Sequence, residues 1–187
     1  MELSLCPACK AQALIFSSSI QEIPYFGKIM IFTFKCSNCN FKHNDIFNLE
    51  IKEPISYRVE VKNEEDLSIK VIRSSSCTII IPELGVKIEP GVYSQGFVTN
   101  AEGVLEKVEN VLLGQLKFLK GKRLKKAKEL IKKIEKMRNG KESFTLILKD
   151  PFGNSAIVSN KAKKRKLSER ELKNLKKGMV IFELIKK

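Results

Sequence analysis

The chain of 187 residues contains one histidine, no tryptophan and no long hydrophobic run. Its apolar stretches stay far below the roughly 20 residues that a membrane-spanning helix requires, which argues against an integral membrane protein. The sequence also lacks a G-x-x-x-x-G-K-[S/T] phosphate-binding loop and any nucleophile with a candidate base nearby. These absences argue against an NTPase or a hydrolase, while catalysis by carboxylates alone stays open. We therefore expect a protein without enzymatic activity.

The first residues lack the basic region and the apolar stretch of a secretory signal, so we expect a cytoplasmic protein. In a reducing compartment, cysteines bind metals rather than form disulfides. The hydrophobic fraction of 43% is sufficient for a real core. The length accommodates a small metal-binding module attached to a domain of about 100–150 residues.

The net charge of +14 is concentrated in two basic segments. Residues 106–138 contain 12 Lys/Arg and 4 Asp/Glu, and residues 161–187 contain 11 and 3, so each segment carries +8. These charges are either solvated helix faces or contacts for an acidic partner, such as RNA, a ribosomal surface or an acidic protein. Phe118 is the only aromatic residue of the first segment, which is unfavourable for base stacking.

Four cysteines form two C-x-x-C pairs, Cys6/Cys9 and Cys36/Cys39, with 26 residues between the pairs. Two such pairs bind one zinc ion through four thiolates, and this closed shell leaves no position for a substrate. We therefore predict one structural zinc ion. An iron–sulfur cluster also uses thiolates, but the two-plus-two spacing is more typical of zinc.

His43 and Cys77 are the only histidine and cysteine outside the two C-x-x-C pairs. Four matched cysteines make His43 unnecessary as a ligand, which favours a surface position or a place beside the ligands. Cys77 begins an apolar run, where a free cysteine behaves as a small hydrophobic residue. We predict that it is buried rather than a reactive thiol.

The order of secondary-structure patterns predicts a mainly β fold with inserted helices. The β-rich run 29–34 leads into the second cysteine pair, so residues 1–45 are predicted to form a zinc ribbon. Residues 46–187 begin with short strands separated by Pro and Gly, which predict a β-sandwich or barrel-like core. A helical hairpin at about 100–139 interrupts these strands.

Local signals set the expected limits of the helices. Thr99 and Glu102 have the spacing of a capping box that opens the first helix, and Asn139-Gly140 ends the second. The lysine-rich stretch 161–166 is predicted to be an exposed loop, and residues 178–184 a closing strand.

Two polar clusters, 74–76 and 150–155, lie beside predicted strands. Ser, Asp, Asn, Pro and Gly in such positions form turns, and loops of this kind also carry binding sites. On physical grounds alone turns are favoured, and a binding role stays open.

Four segments together carry a resemblance to known proteins. They are CPAC…IPYFGKIMIFTFKCSNC, RSSSCTIIIPELG from Arg73, TNAEGVL from Thr99 and DPFGNSAI from Asp150. In this order they resemble the ZPR-type zinc-finger proteins over most of the chain, from Cys6 to about Ile157. The cysteine spacing is generic to zinc ribbons, whereas the PELG and DP-x-GNS segments are much more specific.

The resemblance implies a four-cysteine finger followed by a double-stranded β-helix or jelly-roll-like domain that carries a helical hairpin insertion, which makes the fold α+β. Eukaryotic members bind translation elongation factor 1-alpha, assist its folding and contain two finger-plus-domain modules. This chain contains one module and is similar to the archaeal form, so the expected partner is elongation factor 1-alpha, with a role as folding chaperone or translation-linked adaptor.

The resemblance also assigns residues. Cys6, Cys9, Cys36 and Cys39 match the metal ligands of the family. Its signature segments match Arg73 to Ser76, Pro82 to Gly85 and Asp150 to Ser155. Partner contact is expected near the finger tip, which presents Tyr25, Phe26 and Ile29, and at these residues of the β-core: Arg73, Ser74, Ser75, Asp150 and Asn154. The alternatives are an RNA- or ribosome-binding zinc-ribbon protein and, with an open coordination position, a zinc enzyme.

Overall fold

The computed structural model describes residues 4–24, 27–50, 52–91 and 94–176. The chain divides into two units, Met1–Ile51 and Lys52–Lys187. The first unit is an antiparallel sheet of β1 (Leu14–Ile23), β2 (Gly27–Cys36) and β3 (Lys42–Asn48), in that order. This arrangement is the predicted ribbon, and its third strand continues to Asn48.

The second unit contains eight described strands and four described helices. The strands are β4 (Ile55–Val61), β5 (Lys70–Arg73), β6 (Thr78–Ile81), β7 (Val86–Ile88), β8 (Phe97–Asn100), β9 (Phe144–Asp150), β10 (Ala156–Val158) and β11 (Lys163–Lys166). The helices are α1 (Glu64–Leu67), α2 (Ala101–Gln115), α3 (Gly121–Arg138) and α4 (Glu169–Lys173).

These strands form two antiparallel sheets, one in the order β11-β4-β9-β6-β7 and one in the order β10-β5-β8. Alternation along the strands buries one face, as Val59 and Val61 of β4 and Leu146 and Leu148 of β9 show. Residues of α2 and α3 belong to the same core cluster. The mainly β fold with inserted helices is therefore confirmed.

The helical hairpin is present, and both helices contribute apolar residues to the core, whereas Val111 near the end of α2 is 66% exposed. Val104 and Leu105 of α2 and Ile134 of α3 are fully buried. Gly121, with φ +54°, begins α3, and Gly140, with φ +64°, follows its end. No helix in the described ranges is long and apolar enough to cross a membrane.

The predicted start of the hairpin is wrong by one residue. Thr99 still belongs to β8, where it pairs with Val71. The cap is Asn100, whose side-chain oxygen accepts a hydrogen bond of 2.8 Å from the Gly103 amide. Glu102 takes no part in a capping box and instead contacts Arg138 at 3.1 Å.

The predicted loop at 161–166 is also wrong for most of its length. Residues Lys163–Lys166 form β11, which pairs with β4 at one edge of the larger sheet and has four exposed side chains. Lysine is a poor strand former, and an edge strand is where it is tolerated and useful. The predicted closing strand at 178–184 lies outside the described residues.

The substitution Gly103→Ala is expected to destabilise the second unit by about 1–3 kcal/mol, because a Cβ there overlaps the Thr99 hydroxyl and crowds Asn100 Oδ1. Gly114→Ala, in the same helix with open space around the position, is the matched control and is expected to stabilise by about 0.5–1 kcal/mol. Urea unfolding of both variants measures the difference. Midpoints that move in the same direction would contradict this account of Gly103.

Candidate functional site

Each cysteine pair lies in a tight turn that is closed by backbone hydrogen bonds. In the first turn, the Cys6 amide donates to the Ala11 carbonyl and the Lys10 amide donates to the Cys6 carbonyl, both at 2.9 Å. Lys10 has φ +62°, a left-handed conformation that turns the chain sharply after the second cysteine. The turn therefore holds its two thiols on the same side.

The second turn repeats the same pattern. The Cys36 amide donates to the Phe41 carbonyl at 2.8 Å, and the Asn40 amide donates to the Cys36 carbonyl at 3.1 Å. Asn40 has φ +57° and takes the place that Lys10 has in the first turn. The register of β1 with β2 pairs Leu14 with Cys36, which brings the two turns together.

The four Sγ atoms of Cys6, Cys9, Cys36 and Cys39 lie within 4.8 Å of one another. Two of the distances, Cys6 to Cys39 and Cys9 to Cys36, are 3.7 Å. A tetrahedron with Zn–S bonds of about 2.3 Å has S–S edges of roughly 3.8 Å. The donor set thus fits a single zinc ion, and no fourth position is left for water.

The protonation of these thiols is interdependent. Hydrogen bonding from the Ala11 backbone and then from the Asn38 amide lowers the pKa of Cys9 to about 6. The Phe41 amide also acts to lower the pKa of Cys39, but hydrogen bonding with Cys9 and the other thiols outweighs it, and this pKa is about 12. Thiols so close together share protons, and a divalent cation can replace those protons.

His43 and Cys77 have different surroundings. His43 is an exposed residue of β3 whose ring centroid is 6.3 Å from that of Phe34. Cys77 is fully buried, as predicted, and burial raises the pKa of its thiol to about 12. Neither side chain belongs to the four-cysteine group.

The two polar clusters that follow strands form one buried group around Asp150. The carboxylate accepts hydrogen bonds from the hydroxyls of Ser74 at 2.8 Å, Ser76 at 2.9 Å and Ser155 at 2.7 Å, and from the Phe152 amide at 2.9 Å. Asp150 is completely buried, so these donors replace the water that the carboxylate loses. We call these residues the Asp150 cluster.

Arg73 lies next to this cluster and is also buried. Its Nε donates to the Cys77 carbonyl at 3.1 Å, and Nη1 donates to Ser94 Oγ at 2.9 Å and to the Gln95 carbonyl at 3.1 Å. Its guanidinium carbon lies 5.5 Å from the centroid of the Phe97 ring. The residue therefore ties the end of β5 to the segment that leads into β8.

The residues predicted to contact a partner fall into three groups. Tyr25 and Phe26 lie outside the described residues. Ser75 is half-buried, while the other four are between 0% and 4% exposed: Arg73, Ser74, Asp150 and Asn154. Burial of this degree favours a structural role, and a contact role for all seven stays a prediction. Ile29, expected at an exposed tip, is only 3% exposed, so that expectation is wrong.

An apolar surface that the sequence did not reveal lies on the finger sheet. The strand registers place Phe16 opposite Phe34, and Ile20 opposite Met30, on one face that also includes Phe32. The Phe16 ring lies 5.3 Å from the rings of both Phe32 and Phe34. Phe16 is 44% exposed and Ile20 61%. We call these five residues the aromatic face.

Removal of zinc is expected to unfold the finger and leave the second unit folded, because metal binding supplies about 10–16 kcal/mol to modules of this kind. A chelator should make residues 4–50 sensitive to protease while residues 52–176 stay resistant. Cys39→Ser should abolish stoichiometric zinc binding, measured by elemental analysis. Cys77→Ala is the control and should keep one zinc per chain. Equal zinc content in both variants would contradict the assignment.

Two family models match the chain. One describes the ZPR1 zinc-finger domain and matches residues 1–50, and the other describes the ZPR1 jelly-roll domain and matches residues 65–178. The zinc site and the β-core therefore correspond to a known pair of domains.

Relatives in archaea and eukaryotes match most of this chain. A ZPR1-like protein of Methanocaldococcus jannaschii is 45% identical over 96% of this chain and 91% of its own length, and one of Pyrococcus horikoshii is 42% identical over 97% and 83%. The zinc finger chaperone of Schizosaccharomyces pombe is 29% identical over 82% of this chain but only 34% of its own length. The chain therefore belongs to the ZPR1 family of zinc-finger proteins.

Proposed function

We propose that this protein binds translation elongation factor 1-alpha without enzymatic activity of its own and acts as a folding chaperone or translation-linked adaptor for it. Membership of a family that includes a zinc finger chaperone supports a protein partner. The expectation of elongation factor 1-alpha comes from the family resemblance of the sequence.

The observation that carries the proposal is the aromatic face of the finger. Phe16 and Ile20 of this face are exposed, whereas Met30, Phe32 and Phe34 are half-buried. An apolar patch on a soluble protein marks a surface that binds something. Aromatic residues dominate the binding energy of protein interfaces. A client that is not yet fully folded offers matching apolar surface.

The opposite face of the same sheet has a different chemistry. Ser17 pairs with Thr33, and Gln21 pairs with the buried Ile29. Polar side chains alternate there with four isoleucines, Ile15, Ile23, Ile29 and Ile31. The aromatic rings of β1 and β2 therefore all lie on one side of the sheet.

A non-enzymatic role agrees with the chemistry of the described residues. The four thiolates close the zinc shell, so the metal has no open position to polarise a substrate or activate water. The buried Asp150 carboxylate is fully engaged by hydroxyl and amide donors. Binding, rather than catalysis, is what this arrangement supports.

Phe16→Ser is expected to weaken the complex with purified elongation factor 1-alpha at least about tenfold, or about 1.4 kcal/mol. Ile15→Ser is the matched control, because Ile15 is the adjacent residue, has a similar exposure of 42%, and lies on the opposite face. Isothermal titration with the GTP, GDP and nucleotide-free forms measures both affinities, and zinc content verifies that each finger is folded.

Two results would overturn this proposal in different ways. Absence of a complex in all three nucleotide states would exclude elongation factor 1-alpha as the partner. A complex that Ile15→Ser and Phe16→Ser weaken equally would keep the partner but remove the aromatic face as its binding surface.

A second candidate function is RNA binding, which the surface of α3 favours. This helix contains nine Lys/Arg and two Glu, a net charge of +7. Lys125, Lys132 and Lys136 lie on the side opposite the buried Ile134 and are exposed. None of the three forms an ion pair with any residue in the described ranges. Like charges three or four residues apart destabilise a helix, and a polyanion relieves that repulsion.

The second basic segment, residues 161–187, differs from α3. Asp and Glu side chains form ion pairs with several of its described basic residues. Lys161 pairs with Asp66, and Lys166 pairs with Glu53 at 2.8 Å. Arg165 pairs with Glu171 at 2.7 Å. The unpaired lysines of α3 are therefore the better candidates for phosphate contact.

If α3 binds RNA, replacing Lys125, Lys132 and Lys136 with Ala should lower affinity for a short RNA duplex and reduce the slope of log affinity against log salt by about 2–3, at roughly 0.7–0.9 per phosphate contact. Replacement of the same residues with Arg is the control and should keep both values. Fluorescence anisotropy across a salt series measures them. No binding at low salt, or binding that high salt leaves unchanged, would rule out this candidate.

A further inference from the structure

The four cysteines of the zinc site are not equally accessible to solvent. Cys6 and Cys36, the first residue of each C-x-x-C pair, are fully buried. Cys9 is half-buried, whereas Cys39 is exposed. A reagent in solution therefore reaches the sulfur of Cys39 more readily than those of the other three.

The hydrogen bonds to Cys9 and Cys39, the second residue of each pair, also differ. The Ala11 amide donates to Cys9 and the Phe41 amide donates to Cys39, so each sulfur accepts one backbone bond. Cys9 accepts a further bond from the side-chain amide of Asn38, at 3.6 Å. A hydrogen bond occupies a lone pair of the sulfur and stabilises its negative charge, which makes the thiolate a weaker nucleophile.

This difference originates in the sequences of the two turns. The third residue of the second turn, C-S-N-C, is Asn38, whereas the third residue of the first turn, C-P-A-C, is Ala8. Asn38 donates across the site to a cysteine of the first turn. The alanine has no polar side-chain atom with which to donate to Cys39 in return. Cys9 thus gains a donor that Cys39 does not receive from the opposite turn.

Protonation does not distinguish the four sulfurs once the metal is bound. Zinc binds cysteines as thiolates, so all four are deprotonated in the loaded finger. Their relative reactivity then depends on solvent access and on hydrogen bonding. Both factors favour Cys39 over Cys9, and burial protects Cys6 and Cys36.

We propose that Cys39 is the reactive ligand of the zinc site, at which electrophiles and peroxides modify the finger. The Cys39 thiolate attacks one oxygen of hydrogen peroxide, the O–O bond breaks, and a sulfenic acid forms while the other oxygen leaves as water. The sulfur of Cys6, 3.7 Å away, then forms an S–S bond with Cys39 and displaces the second oxygen as water. Two thiolates lose two electrons, one peroxide is reduced to two waters, and two protons are taken up from solvent.

The disulfide removes two of the four zinc ligands, so Cys9 and Cys36 alone no longer enclose the metal. Because the finger depends on zinc for its fold, oxidation at Cys39 unfolds the sheet and with it the aromatic face. Oxidation therefore abolishes binding at that face, a consequence that rests on the proposed function. The chemistry at Cys39 itself does not depend on which partner the finger binds.

Limited alkylation of the zinc-loaded full chain tests the order of reactivity. With N-ethylmaleimide below one equivalent, tandem mass spectrometry should find at least about fivefold more adduct at Cys39 than at any other cysteine. Asn38→Ala should raise the adduct at Cys9 toward the level at Cys39. Ser37→Ala, in the same turn, is the matched control and should leave the distribution unchanged, because the Ser37 hydroxyl donates to a backbone carbonyl rather than to a thiolate.

Two results of the alkylation would contradict the proposal. Labelling of Cys9 that equals or exceeds that of Cys39 in the unsubstituted protein would overturn the assignment of the reactive ligand. A distribution that Asn38→Ala and Ser37→Ala both leave unchanged would overturn the protective role of the Asn38 hydrogen bond. Zinc content and far-UV circular dichroism before alkylation verify that each variant is loaded and folded.

Oxidation with hydrogen peroxide gives an independent measurement that needs no partner protein. It should release the zinc, followed with a chromophoric chelator, and leave a Cys6–Cys39 disulfide in the peptide map of the non-reduced protein. Cys77→Ala is the control and should release zinc at the same rate. Zinc that stays bound, or a disulfide that lacks Cys39, would overturn the proposal. A disulfide between Cys39 and a ligand other than Cys6 would overturn its second step.

Discussion

The finger depends on the closure of four thiolates around a metal. In its described part, with the side chains of residues 45–48 left aside, the buried apolar residues are Cys6, Ile29 and Cys36, two of which are ligands. Burial at this scale cannot offset the entropy of ordering some forty residues. The metal must do so, and because it does, the sheet can leave the apolar side chains of Phe16 and Ile20 exposed. A module stabilised by its own core would have to bury such residues.

In the second unit, a buried carboxylate holds distant segments together. Asp150 connects the turn after β5 to the turn after β9, and two of the three serines that bind it, Ser74 and Ser76, lie 76 and 74 positions away in sequence. A buried carboxylate without donors destabilises a fold, whereas one with four donors fixes the positions of all of them. The cluster therefore acts as a junction between segments that come from opposite ends of the unit. Its residues are polar because they hold the turns in place.

The elements that could be predicted from the sequence are those whose conformation is determined by neighbouring residues in the chain. The spacing of the cysteines determines the two turns, and the three- and four-residue periodicity of apolar side chains determines α2 and α3. The errors have distant causes. The helix cap moved from Thr99 to Asn100 because β8 extends one residue further in its pairing with β5. Lys163–Lys166 form a strand because β4 offers an edge, against their own propensity. The burial of Asp150 and the aromatic face both depend on which residues meet across strands, and the register is not readable from either segment alone.

The lysine strand β11 gives the larger sheet two unlike ends. Arg165 and Lys166 of this strand are ion-paired, but Lys163 and Lys164 form no ion pair with a described residue. These two lysines repel a second copy that approaches along that edge, since pairing would bring like charges face to face. Electrostatic repulsion therefore opposes the addition of a further strand at the β11 edge of the larger sheet. Without such a barrier, two chains at high concentration could join edge to edge into an extended sheet. The two unpaired lysines of β11 thus oppose the association of two chains along this edge.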